Sequence, residues 1–75
     1  MDMGTMAISS DTSKPFDLRF IEAMIPHHES AIMMAKDAQQ KSTRPEIQDL
    51  ATAIITAQEA EIAQMQAWRQ TWSGQ

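Results

Sequence analysis

Cysteine is absent from this 75-residue chain, which excludes both a disulfide and a thiolate metal site and leaves the redox compartment unreadable from cysteine usage. Positive charge is also sparse. Six Lys and Arg stand scattered against ten Asp and Glu, for a net charge of -4, so the clustered cations that phosphate backbones require are missing and nucleic acid is not an expected partner. An acidic surface does suit cations. No apolar run approaches the roughly 20 residues that span a bilayer, and the first residues lack the charged start and apolar centre of a secretory signal. The expectation is a soluble chain with no membrane span. Catalytic signatures are missing too: there is no Glu-x-x-His step, no histidine after His28 to make His-Glu-x-x-His, and no Gly-rich elbow around Ser30. An enzyme is not expected.

A chain of this length buries only about 60% of its unfolded surface, so a lone domain of this size is marginally stable and oligomerisation is the expected supplement. Residues 1–15 mix Met, Ser, Thr, Gly, Asp and Lys with no period and end at Pro15, which reads as a flexible arm. It carries Met1, Met3 and Met6 within six residues, in a segment too polar to need three methionines for packing.

The remainder, 16–73, reads as an all-α hairpin domain. A first helix is expected over 17–41, with Phe20, Ile21, Met24, Ala31, Ala35 and Ala38 on one face and Asp17 as its cap. Pro26 removes one backbone bond in its middle. Because the apolar face continues past it without slippage, a kink is expected rather than a break. A second helix is expected over 44–72, opening on Thr43-Arg44-Pro45-Glu46 as a capping box and carrying Ile47, Leu50, Ala51, Ile54, Gln58, Glu61, Ile62, Met65, Trp68 and Trp72 on one face.

Helices of about 25 and 30 residues, joined by a few residues near Ser42, must run antiparallel. Counting outward from the turn sets Ala38 against Ile47, Ala35 against Leu50, His27 against Gln58, Met24 against Glu61 and Phe20 against Met65. Asp17 falls beside the indole of Trp68. Leu18, Ile25 and Ile32, with an alanine row on the second helix, form flanking stripes that the hairpin does not cover on this count. A homodimer closing a four-helix bundle is the economical cover.

His27 and His28 straddle the inward face, with Met24 one turn earlier between them. Imidazole suits copper, zinc, iron or nickel, whereas thioether sulfur selects Cu(I) among common biological metals. The candidate metal ligands are therefore His27, His28, Met24, Met34, Glu61 and Met65, with Met1, Met3 and Met6 of the arm. Copper as Cu(I) is the favoured ion, and zinc is compatible with the imidazoles. A different class of reading remains beside it. The histidines hydrogen-bonded to Gln58 and Glu61 would set helix register and dimer pairing with no metal at all.

The strings Phe20-Ile21-Glu22-Ala23-Met24-Ile25-Pro26-His27-His28, then Ala31, Met34 and Ala35, and Gln58-x-x-Glu61-Ile62-x-x-Met65-x-x-Trp68 resemble a bacterial family, domain of unknown function 305. The match runs from Asp17 to Trp72. The resemblance implies a ferritin-like helical fold, an exported or periplasmic location and, for some members, copper binding with a role in copper tolerance. Members often carry a Met- and His-rich stretch before the domain, and residues 1–6 look like a remnant of one without histidine.

Overall fold

The computed structural model describes residues 8–73, and these form two helices, α1 (Phe16–Lys41) and α2 (Pro45–Ser73), folded back on each other as an antiparallel hairpin. No strand occurs among the described residues. Helix α1 runs unbroken through Pro26. The methionines of the expected arm, Met1, Met3 and Met6, lie outside the described residues, as does Gly74.

Both helix starts differ from the sequence expectation by a residue or two, and a proline explains each. The carbonyl of Pro15, whose backbone is extended (φ -57°, ψ 148°), accepts from the amide of Arg19 at 3.1 Å. Pro15 is thus the boundary residue, and no side chain caps the helix. Asp17 sits inside the first turn, where its charge complements the helix dipole. At α2, Pro45 disfavours helical backbone in the residue before it. The carbonyl of Arg44 accepts from the amides of Ile47 and Gln48 at 3.1 Å each, which moves the boundary from Thr43 to Arg44. The Thr43–Glu46 capping box is therefore not formed. Ser42 ties the turn instead: its hydroxyl accepts from the amide of Arg44, and its carbonyl accepts from the side chain of Gln48 at 2.7 Å.

The seam between the helices follows a three-and-four spacing, with one step of seven from Met65 to Trp72 across the exposed Arg69. On α1 it runs through Leu18, Ile21, Ile25, His28, Ile32 and Ala35; on α2 it runs through Ala51, Ile55, Gln58, Ile62, Met65 and Trp72. This is the 3.5-residue repeat that keeps two helices in continuous contact. Leu18, Ile21, Ile25 and Met65 form the buried cluster at the open end of the hairpin, joined by Met24, Ile62 and Trp72. Towards the turn, Ala35 and Ala51 are buried. There the small side chains leave room for the two backbones to come close.

The buried face is thus rotated from the expected one, mainly on α1, while Ile21 and Ala35 on α1 and Ala51, Ile62, Met65 and Trp72 on α2 face inward as expected. Leu18 and Ile25, assigned to an uncovered flank, are among the most buried residues, whereas Phe20, assigned to the interior, is 43% exposed. The rest of the face expected to be inward is a second apolar row beside the seam. It holds Phe20, Met24, Ala31, Met34 and Ala38 on α1, and Ile47, Leu50, Ile54 and Trp68 on α2. The molecule measures 48 × 24 × 13 Å, and its shortest dimension is close to the diameter of one helix. It is a plate one helix thick. One broad face is apolar, and the rows on the other side of the seam carry Glu22, Glu29, Lys36, Glu59, Gln66 and Gln70.

Ahead of α1, Arg19 ties the incoming chain to the helix. Its guanidinium donates to the carbonyls of Ser9 (2.8 Å) and Lys14 (3.1 Å), while Lys14 pairs with Glu22 at 3.2 Å. No helix of the described residues is long and apolar enough to cross a membrane.

Candidate metal centre

His28 occupies a seam position that hydrophobic residues hold above and below, and it is 8% exposed. A buried imidazole needs partners for both nitrogens. Nδ1 lies 2.9 Å from the carbonyl oxygen of Met24, one turn earlier on the same helix, and Nε2 lies 2.6 Å from Oε1 of Glu61 on α2. A carbonyl can only accept, so Nδ1 carries a proton and donates. The Glu61 carboxylate likewise accepts, so the 2.6 Å contact needs a proton between it and Nε2, and an ion binding at Nε2 would take that proton's place.

That orientation is the one a metal-binding histidine requires. An imidazole that ligates through one nitrogen typically donates its other N–H to a carbonyl or carboxylate, which fixes the tautomer and the ring plane. Here the Met24 carbonyl does so within the helix. The outward nitrogen opens on a groove of about 280 Å³ lined by Phe20, Met24, His28, Glu61, Gln64, Met65 and Trp68. One imidazole, one carboxylate and two thioethers thus border a single recess. Among the described residues no three His, Asp or Glu side chains gather closely enough to hold an ion, and the other side chains at this recess that carry a soft donor are Met24 and Met65.

The remaining candidates fall elsewhere. His27 lies beside His28 with ring centroids 6.1 Å apart and the planes edge-on at 71°, on the apolar row rather than the seam. The expected His27–Gln58 contact is replaced by the His28–Glu61 pair. His27 Nδ1 and Gln58 Oε1 are each buried without a hydrogen-bond partner. A buried polar atom left unpaired is costly and invites a ligand. Met34 is 59% exposed and lines a separate groove of about 250 Å³ near the turn, with Ala31, Leu50 and Ile54 among its neighbours. Met1, Met3 and Met6 lie outside the described residues.

Other expected levels hold. Met24 and Glu61 border the same groove, as do Phe20 and Met65, while Ala38 with Ile47 and Ala35 with Leu50 share the groove nearer the turn. Asp17 is an exception, since the indole beside it in a small recess with Pro15 and Leu18 is that of Trp72, not Trp68. Trp68 instead stacks on Trp72, with centroids 5.5 Å apart and planes 4° from parallel, and forms one wall of the His28 groove. Sequence reading missed Gln64 as a lining residue. Its spacing of three from Glu61 and four from Trp68 places it on the same row.

The molecule is thus defined as a single-layer helical hairpin with a histidine in its seam and methionines in the adjoining groove. The chain belongs to the DUF305 family, described as a domain of unknown function, whose model matches residues 1–74. Solved structures of CopM share the fold. The Cu(II)-bound form superposes with a TM-score of 0.76 at 43% identity, covering 96% of this chain and 46% of that one. The Cu(I)-bound form gives a TM-score of 0.75 at 43% identity, with 96% and 49% covered, and the Ag-bound form 0.76 at 43%, with 96% and 50% covered. Uncharacterized protein L153 of Acanthamoeba polyphaga mimivirus is 43% identical over 49 residues, which are 65% of this chain and 32% of that protein. The chain spans about half the length of CopM and a third of the viral relative.

Proposed function

We propose that this protein binds copper as Cu(I) in the groove at His28, through Nε2 of His28 and the thioethers of Met24 and Met65, with Glu61 at the rim. The observation that carries this reading is the ring setting of His28, with Nδ1 held by the Met24 carbonyl and Nε2 opening on a recess bordered by two sulfurs. Thioether and imidazole donors are soft to borderline and match a monovalent coinage-metal ion. The likeness to CopM, solved with Cu(I), Cu(II) and Ag, supports copper as the ion. On this reading the protein is a copper-handling protein rather than an enzyme, working outside the cytoplasm as a homodimer. His27 and its unpaired Nδ1 provide a neighbouring donor. Methionines 1, 3 and 6 add Cu(I) capacity.

An anaerobic competition titration against a chromophoric Cu(I) chelator tests it. Substituting His28→Ala is expected to weaken binding by at least tenfold, while deleting residues 1–6 lowers stoichiometry without changing the affinity of the remaining site. One observation favours a second reading: His28 already has an acceptor at each nitrogen without a metal, as a purely register-setting histidine would. That reading predicts the same copper curve for the wild type and the His28→Ala variant, together with a lowered melting temperature that copper does not restore.

A further inference from the structure

The apolar face of the plate is left open along its whole length. Phe20, Met34, Leu50 and Trp68 are 43%, 59%, 55% and 42% exposed. These residues repeat at the same three-and-four spacing as the seam, so the face is shaped to receive two more helices that carry such a row. This chain carries one itself. Along the middle of the face, between Phe20 and Ala38 on α1 and between Ile47 and Trp68 on α2, Glu61 is the one charged residue of the two rows and is already paired with His28, while Asp17, Lys41 and Glu46 stand at the ends. Much of the remaining charge of α1 and α2 lies on the opposite rows, so two copies of a chain with net charge -4 meet with least repulsion through this face. Its 48 × 24 Å extent exceeds the roughly 800 Å² that each partner contributes to a stable interface. The CopM chains hold about twice as much polypeptide as this hairpin, and a second copy supplies the same quantity.

We propose that this face seats a second copy of the chain, and that the second copy closes the His28 groove, so that pairing and Cu(I) binding strengthen each other. The linkage, though not the pairing, rests on the copper reading above. The groove opens on the face to be covered, with Phe20, Met24 and Trp68 in its walls. A second hairpin laid there shields the bound ion from water and competing ligands. By reciprocity, whatever factor pairing adds to copper affinity, copper adds to pairing.

Sedimentation velocity on the full chain, metal-free and with anaerobically added Cu(I), tests both parts. Leu50→Glu places a charge at the turn end of the face, away from His28; Met33→Glu does the same on the charged side as a control, and circular dichroism verifies that both remain helical. The metal-free wild type and Met33→Glu are expected to dimerise, and Leu50→Glu to remain monomeric at the same concentration. Cu(I) is expected to tighten wild-type pairing by about tenfold, and the Leu50→Glu monomer to bind Cu(I) more weakly by a similar factor. A wild type that stays monomeric with and without copper, or Leu50→Glu pairing as tightly as wild type, overturns the pairing face. Copper bound at His28 with no effect on pairing overturns the linkage. If the wild type dimerises but takes up no Cu(I), the copper reading fails and the linkage with it, while the pairing face stands.

Discussion

Nε2 of His28 and Oε1 of Glu61 meet at 2.6 Å across the seam, from positions 33 residues apart in the chain. The contact is asymmetric in burial: the imidazole side chain is 11% exposed and the carboxylate side chain 59%. The two ends therefore contribute unequally to stability.

Solvent screening limits a polar pair with one open end to about 1 kcal/mol or less. Glu61→Gln is thus expected to change unfolding free energy by no more than that, because an amide oxygen or nitrogen still meets Nε2. His28→Ala removes a packed ring and both its hydrogen bonds from the seam, at a cost of about 1–3 kcal/mol. Urea denaturation of the two variants checks the order, and equal losses would contradict it.

Met24 and Met65 differ in what they do for the fold, since Met65 belongs to the buried cluster and Met24 packs at its edge. Leucine conserves volume at either position and is expected to cost under about 1.5 kcal/mol. It cannot supply a thioether. Met24→Leu and Met65→Leu should therefore retain helicity and melting behaviour while weakening Cu(I) competition, and retained copper affinity in the double variant would remove sulfur from the site.

Pro26 interrupts the hydrogen-bond ladder inside a helix that continues on both sides of it. Alanine at this position restores an amide to face the carbonyl of Glu22 and improves helix propensity, by about 1–3 kcal/mol in all. For a domain of this size that corresponds to a rise in Tm of several degrees. A Pro26→Ala variant that melts lower than wild type would show that the proline is needed for the setting of His28.

Ahead of the helices, the Asp11 carboxylate accepts from both the hydroxyl and the amide of Ser13, which hold its pKa below the ordinary 3.8. A carboxyl whose pKa is lower in the folded state favours the folded turn at neutral pH. That contribution fades as pH falls from the unfolded value through the folded one. An NMR titration of the Asp11 carboxyl should have its midpoint below 3.8, and Ser13→Ala should raise it toward that value.

The two helices, their antiparallel course and most facing levels were legible from spacing and chain length. What spacing could not decide was which of two rows faces the neighbouring helix. On α1 the row Leu18, Ile21, Ile25, His28 and the row Phe20, Met24, His27, Ala31 have the same period, about 100° apart around the axis, and both are rich in apolar residues. A single helix offers no physical reason to prefer one. The choice depends on β-branched and leucine side chains interdigitating with Ile62 and Met65, which only the assembled hairpin displays. The same ambiguity put His27 rather than His28 opposite α2. The helix boundaries missed because Pro15 is itself the boundary residue of α1 and Pro45 acts on Arg44 before it, effects that outweighed the capping preferences of Asp17 and Thr43.

The stacked indoles of Trp68 and Trp72 have an optical consequence. The chain has no tyrosine, so its near-ultraviolet absorption and intrinsic fluorescence come overwhelmingly from these two rings. One of them walls the groove at His28, and the other packs against the seam cluster. The protein therefore carries an unlabelled emitter at the place where an ion would arrive, and quenching of its emission can be followed in real time without attaching a dye.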